Sequence, residues 1–66
     1  MLFTIYYLAT YHNVKADETL AYTFPITQET CEACDLLAES YAMWILEELP
    51  QSGFILDNLE RVYKNE

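Results

Sequence analysis

Residues 27–49 form the one stretch of this chain that is long enough to present two different surfaces as a helix. At about 100° per residue, most of its apolar side chains gather on one half of the helical wheel. We predict that this half packs in the core, and it holds Cys31, Cys34, Leu37, Ala38, Tyr41, Ala42, Trp44, Ile45 and Leu49. Thr27 is the expected N-cap, and Pro50 ends the helix because the residue before a proline avoids helical backbone angles.

The opposite half of this helix mixes acidic and apolar side chains, and we call it the mixed helix face. It holds Glu29, Glu32, Asp35, Leu36, Glu39, Met43, Leu46 and Glu47. No Lys or Arg lies between residues 16 and 60, so repulsion among these carboxylates is not relieved within the helix. A solvated acidic face is one explanation of the pattern, but such a face does not need the three apolar residues. A surface that meets a positively charged protein is the other explanation.

Two segments with alternating side chains precede the helix. Residues 2–11 alternate between two largely apolar faces, and residues 19–26 place Leu20, Tyr22, Phe24 and Ile26 on one side. Aromatic and β-branched residues dominate both segments, which is typical of strands. The polar connection at residues 12–18 is short enough for an antiparallel hairpin, and Pro25 indicates that the second strand lies at a sheet edge.

Apolar residues recur at helical spacing after the loop at residues 51–53. The shared face would hold Ile55, Leu56, Leu59, Val62 and Tyr63. Arg61 and Lys64 would lie in the last turns, where cations interact favourably with the helix dipole. Residues 54–64 are therefore predicted to form a short second helix. The 66 residues would make one α+β domain of order ββαα, a hairpin packed with one long and one short helix.

A two-stranded hairpin is marginally stable alone, and it leaves an unpaired edge and a second, tyrosine-rich face. Association of two copies through the unpaired edge or through the tyrosine-rich face would cover the surface that they share. We therefore expect a homodimer, in which the hairpins could join in a larger sheet.

The acidity of the chain limits its partners. Eleven carboxylates against three Lys and Arg residues give a formal net charge of −8. Ordinary binding to a phosphate backbone uses clusters of Lys and Arg, and anionic membranes repel such a protein. The apolar amino-terminal segment has no basic residue ahead of it and is too short to span a bilayer. We expect a cytoplasmic protein that binds neither nucleic acid nor membranes directly.

Cys31 and Cys34 form a C-x-x-C pair at the start of the long helix. Thiol redox exchange is one interpretation, because a helix N-terminus favours a thiolate. Burial as small apolar residues is the other, and it is favoured by their position on the apolar half of the helix. A zinc site needs four ligands, and only His12 is available beyond this pair, so we expect no metal and no cofactor. The chain offers no nucleophile with an oriented base, so we do not expect an enzyme.

Acidic side chains around apolar anchors are typical of a surface complementary to a basic protein site. Our hypothesis is a small inhibitor that docks the mixed helix face onto the nucleic-acid-handling surface of a partner protein. The carboxylates would replace phosphates, and Leu36 and Met43 would be the anchors. In size and charge the chain is similar to phage-encoded counter-defence proteins, such as the DNA mimics that block restriction or CRISPR effectors. The alternatives are an assembly subunit that oligomerises through its apolar helix stripe and sheet face, and a thiol-redox protein.

Overall fold

The computed structural model describes residues 1–62 of the chain. The elements follow in the order β1 (Phe3–Asn13), β2 (Glu18–Gln28), α1 (Cys31–Glu48) and β3 (Phe54–Val62). The three strands form one antiparallel sheet in the order β2-β1-β3, and α1 packs on one face of it. Residues 1–62 therefore fold into a three-stranded sheet covered on one side by a single long helix.

The prediction of a ββαα architecture with a second helix is wrong. Residues 54–62 form strand β3, which pairs antiparallel with β1 and makes β1 the central strand. A third strand removes the difficulty of the predicted hairpin, because two strands alone are only marginally stable in water. Tyr63 and Lys64, which we also assigned to the second helix, lie outside the described residues.

A β-bulge explains why β3 has the spacing of a helix. The register between β1 and β3 shifts by one residue between Thr10 and Tyr11, so Asp57 lies opposite no residue of β1. The extra residue moves the alternation of side chains by one position. Leu56 and Leu59, which lie on either side of the bulge, therefore both pack against the core although they are three residues apart. Apolar residues three apart are what a helical pattern also contains.

The predicted hairpin is confirmed, with longer strands than expected. Pairing between β1 and β2 continues without a shift from Phe3 to Asn13, and Pro25 lies within it, opposite Tyr6. Strand β2 is an edge strand, as the proline indicated. Proline is tolerated in an edge strand where the missing N–H would point away from the neighbouring strand.

Asn13 organises the turn between β1 and β2, and only 1% of its surface is exposed. Its side-chain carbonyl accepts hydrogen bonds from the backbone N–H groups of Lys15 at 2.9 Å and Ala16 at 3.1 Å. Its Nδ2 donates to the carbonyl of Ser52 at 3.3 Å. Asn13 thereby connects the hairpin turn to the loop between α1 and β3, and its buried polar atoms are satisfied.

The start of the long helix lies three residues later than predicted. Thr30 is the N-cap, and its hydroxyl accepts a 3.0 Å hydrogen bond from the N–H of Ala33. The prediction of Thr27 is wrong because strand β2 continues to Gln28. The helix ends at Glu48, two residues before Pro50. This end is expected because a proline disfavours helical backbone angles in the residue that precedes it.

The core lies between α1 and the inner face of the sheet. The helix contributes a stripe of small residues four apart, Cys34, Ala38 and Ala42, which are fully buried. The strands contribute larger side chains, among them Tyr7, Tyr11, Phe24 and Ile26. Small side chains on the helix leave room for the rings of the sheet, so the two layers approach closely and exclude water.

Three residues predicted in the core are instead exposed: Leu37, Tyr41 and Trp44. The buried stripe of α1 is turned toward Leu46, which packs partly against the core, and away from Trp44. A single helix on a small sheet buries only the stripe in contact with the strands. Its flanks stay open because residues 1–62 form no second helix that covers them. The core positions predicted for Cys34, Ala38 and Ala42 are confirmed.

Candidate functional site

An apolar ridge runs along the outward side of α1. Leu36, Met43 and Trp44 are 68%, 48% and 53% exposed, and we call these three residues the apolar ridge. They recur at spacings of seven and eight residues, which places them on one side of a helix, two turns apart. Together with Glu39, Ser40 and Glu47 they line a shallow depression on the helix surface.

Carboxylates flank this ridge. Helix α1 carries five of them and no Lys or Arg. Glu32, Glu39 and Glu47 of the mixed helix face are exposed, as is Glu48. At a rise of 1.5 Å per residue, Glu32, Glu39 and Glu47 follow one another at intervals of about 10 to 12 Å along the axis. Glu29 is also exposed, but it precedes the helix.

Asp35 differs from the other carboxylates because it is bonded inside the fold. Its Oδ1 accepts hydrogen bonds from the hydroxyl of Tyr7 at 2.6 Å and from Nε of Arg61 at 3.0 Å. Its Oδ2 accepts a 2.6 Å hydrogen bond from Nη2 of Arg61. The Arg61 guanidinium, followed by the Tyr7 hydroxyl, holds the pKa of Asp35 below its ordinary value. The charge of Asp35 is thus compensated by a cation from β3.

The same network changes the acidity of Tyr7. Burial, the hydrogen bond to Asp35 and the charge of that carboxylate raise the pKa of the Tyr7 phenol above its ordinary value. The neutral phenol is therefore favoured, and it is the form that donates the hydrogen bond to Asp35.

The structure divides the eight residues of the mixed helix face, of which Glu29 lies before α1. Five of them lie together on the outward side of α1: Glu32, Leu36, Glu39, Met43 and Glu47. Asp35 and Leu46 lie toward the sheet, the first in the network with Arg61 and the second against the core. Sequence reasoning missed Trp44 as an exposed residue. The small residues spaced by four at 34, 38 and 42 are the signal that locates the buried stripe and leaves Trp44 outside it.

A groove between α1 and β3 is also acidic. Its lining includes Asp35, Glu39, Asp57, Glu60 and Arg61. Four carboxylates and one guanidinium leave the groove with an excess of negative charge. Within residues 1–62, no group of three or more His, Cys, Asp and Glu side chains is arranged to hold a metal ion.

The two cysteines have different surroundings. Both are free thiols, and Cys34 is fully buried while Cys31 is partly exposed. The sulfur of Cys34 lies 3.6 Å from the carbonyl oxygen of Phe3 and 3.7 Å from that of Ile26, in donor geometry. Cys34 therefore fills the space between the helix N-terminus and the sheet.

Comparisons with known proteins do not assign this chain to a family. No protein-family model, curated protein or solved structure matches this chain. Among residues 1–62, no helix combines the length and the apolar content needed to cross a membrane.

Proposed function

We propose that this protein is a small acidic inhibitor that docks its mixed helix face onto a basic, nucleic-acid-handling surface of a partner protein. The observation that carries the proposal is the exposure of the apolar ridge on a helix with five carboxylates and no basic residue. Leu36, Met43 and Trp44 would be the anchors, and Glu32, Glu39 and Glu47 would form the charged rim.

The composition of this face supports binding to a protein rather than simple solvation. Single exposed apolar residues are common on protein surfaces and need no explanation. Here a tryptophan, a methionine and a leucine share one side of a helix, and tryptophan and methionine are enriched at interfaces. Trp residues also contribute strongly to binding energy when a partner desolvates them.

The charge supports a basic partner. With a formal net charge of −8 on 66 residues, the protein attracts positively charged surfaces and repels acidic ones. Surfaces that bind phosphate backbones carry clusters of Lys and Arg, so they complement this face. Blocking such a surface is how a counter-defence protein that replaces DNA would act. We also propose a cytoplasmic location, with the free thiols of Cys31 and Cys34 in support.

The decisive experiment is capture from a lysate of the host cell on immobilised protein, with elution by duplex DNA or RNA. We expect a basic protein to be retained at low salt and released by nucleic acid, because both would compete for one surface. Glu39→Gln with Glu47→Gln should weaken binding of that protein at least about tenfold, mainly through the association rate.

The matched control is Asp17→Asn with Glu18→Gln at the hairpin turn, which changes the net charge by the same amount. This pair should leave binding nearly unchanged. Equal losses for both pairs would mean that only net charge acts, and they would contradict docking through the helix. A captured partner that stays bound in excess nucleic acid would contradict the choice of surface.

A second candidate function, self-assembly, is favoured by the outer face of the sheet. Within residues 1–62, no element packs on this face, where Leu8 is half-buried and Pro25 and Val62 are exposed. The apolar ridge would supply a second contact. Met43→Lys should then dissociate an oligomer seen by sedimentation velocity, and a wild-type monomer at micromolar concentration would contradict this alternative.

A further inference from the structure

We propose that a cleft beside the apolar ridge binds the guanidinium group of one arginine of the partner. The inference deepens the proposed function and rests on it for the identity of the partner, but the cleft can be tested with the protein alone. The cleft lies between the second half of α1 and strand β2 and has a volume of about 300 Å³. Its lining consists of Tyr22, Tyr41, Trp44, Ile45, Glu48, Leu49 and Pro50.

Three aromatic rings line this cleft, and two of them, Tyr22 and Tyr41, pack against core residues behind them. Tyr41 contacts Phe24 edge to face, with ring centroids 4.7 Å apart, and stacks on Trp44 with centroids 5.6 Å apart. Tyr22 contacts Tyr11 edge to face at 5.9 Å. Phe24 and Tyr11 are core residues, so the rings of Tyr41 and Tyr22 are fixed on their inner sides.

These aromatic side chains nevertheless keep much of their surface open. Tyr22 is 41%, Tyr41 39% and Trp44 53% exposed. Rings that are ordered by the core but open to solvent need little reorganisation to bind a ligand, and this lowers the entropic cost of binding. The cleft therefore has the properties of a preformed subsite.

The chemistry of the lining selects a cation. The faces of aromatic rings attract cations, tryptophan most strongly. Among residues 1–62, Glu48 is the one charged residue in the lining, and the helix that carries it has no basic residue to pair with it. A cationic side chain in the cleft would pair with the carboxylate of Glu48, and an apolar side chain would not.

Among cationic side chains, arginine fits best. Its guanidinium is planar, stacks on aromatic rings and is more weakly hydrated than the ammonium of lysine. It also donates hydrogen bonds to a carboxylate while it is stacked. The basic partner surface of the proposed function, with its clusters of Lys and Arg, would supply this group.

Trp44 is the single tryptophan of the chain, so its fluorescence reports on the cleft directly. The probes are N-acetyl-arginine amide, N-acetyl-lysine amide and N-acetyl-citrulline amide, which is a neutral compound of nearly the same shape as the first. We expect a saturable change with the arginine compound at millimolar concentration. The citrulline compound should bind at least about tenfold more weakly, and the lysine compound should lie between them.

Glu48→Gln and Glu47→Gln provide a matched pair. They are neighbours on the exposed end of α1 and change the net charge equally, but only Glu48 lines the cleft. Glu48→Gln should weaken binding of the arginine compound at least about threefold and leave citrulline unaffected, while Glu47→Gln should change neither. Absence of a saturable response, equal binding of citrulline, or equal effects of the two variants would overturn the proposal.

The two proposals fail separately. If the arginine compound binds but no basic partner is captured, docking of the mixed helix face is overturned and the cleft stands. If a partner is captured and Glu48→Gln leaves its affinity unchanged, the cleft is overturned and the docking stands.

Discussion

The hydroxyl of Tyr7 donates a 2.6 Å hydrogen bond to Oδ1 of Asp35, and this bond joins the central strand to the helix. Arg61 of β3 binds both oxygens of the same carboxylate. Asp35 therefore connects α1 to two strands, and it does so on the side of the helix opposite Trp44. This connection helps to set the rotation of α1 that leaves the apolar ridge exposed, so the network is a structural support of the proposed binding face.

The first prediction concerns the hydrogen bond of Tyr7. Tyr7→Phe removes the donor while the ring keeps its packing against Phe24, with centroids 5.9 Å apart. We expect the free energy of unfolding to fall by about 1 kcal/mol, because Asp35 retains Arg61 as a partner. The measurement is denaturant unfolding at neutral pH. Tyr22→Phe is the control, since no hydrogen bond of its hydroxyl to the described residues is seen, and it should change stability by less than about 0.5 kcal/mol.

The second prediction concerns pH. The pKa of Asp35 in the folded protein is lowered, chiefly by Arg61. Its contribution to stability is therefore complete above its unfolded pKa of about 3.9, and it is lost as the pH falls through the lower folded pKa. Arg61→Gln should raise the pKa of Asp35, as measured by NMR of the side-chain carboxyl carbon, and reduce this loss of stability in acid. Lys15→Gln removes a cation elsewhere, and a similar effect of that change would contradict the assignment.

The third prediction tests the rotation of α1. Ala38 is fully buried in the stripe that contacts the sheet, so Ala38→Leu would place three extra carbon atoms where no space exists. We expect a loss of about 1 to 3 kcal/mol in the free energy of unfolding, measured by denaturant unfolding. Ser40→Leu makes a similar enlargement on the exposed side and should change stability by less than about 0.5 kcal/mol. Similar losses for both variants would contradict the orientation of the helix.

The sequence allowed the hairpin and the long helix to be predicted because their patterns are local. Alternation over residues 19–26 and 2–11, and helical spacing before Pro50, are each explained by one period of side-chain direction. Strand β3 escaped prediction because its bulge at Asp57 adds one residue and brings Leu56 and Leu59 to the same face. A single inserted residue changes the apparent period, and only pairing with β1 reveals it.

The candidate site was predictable in part for a related reason. The exposure of Leu36 and Met43 agrees with their place among carboxylates, because both lie far from the stripe of small residues. The exposure of Trp44 and the pairing of Asp35 with Arg61 depend on how the helix is turned on the sheet and on where β3 lies. Neither follows from helical spacing alone, because both are set by contacts between residues far apart in the chain.

The fourth prediction concerns the loop before β3. Gly53 has a φ of 100°, and a Cβ atom there would lie 2.8 Å from the side-chain oxygen of Asn13. Gly53→Ala should therefore lower the free energy of unfolding by about 2 kcal/mol or more, since both the backbone and the contact are unfavourable. Thermal or denaturant unfolding would measure it, and Ser52→Ala, at an exposed neighbouring position, is the control.

A double-mutant cycle separates the two causes. Asn13→Ala removes the oxygen that the new Cβ would approach, and by itself it costs about 2 kcal/mol because it removes hydrogen bonds to the hairpin turn. Gly53→Ala should be less costly in that background, with the backbone strain alone remaining. Full additivity of the two losses would show that the contact with Asn13 does not contribute.

The fifth prediction distinguishes structural cysteines from a redox pair. Cys31 is partly exposed, whereas Cys34 is fully buried beneath the first turn of α1. Iodoacetamide should label Cys31 in the folded protein, and Cys34 should react at least about 100-fold more slowly because labelling requires local or global opening. Mass spectrometry of timed samples would measure both rates, and Cys31→Ser should leave only the slow reaction, accelerated by urea. Rapid labelling of both thiols, or a disulfide that forms readily without unfolding, would instead favour thiol exchange, because that chemistry needs an accessible thiolate.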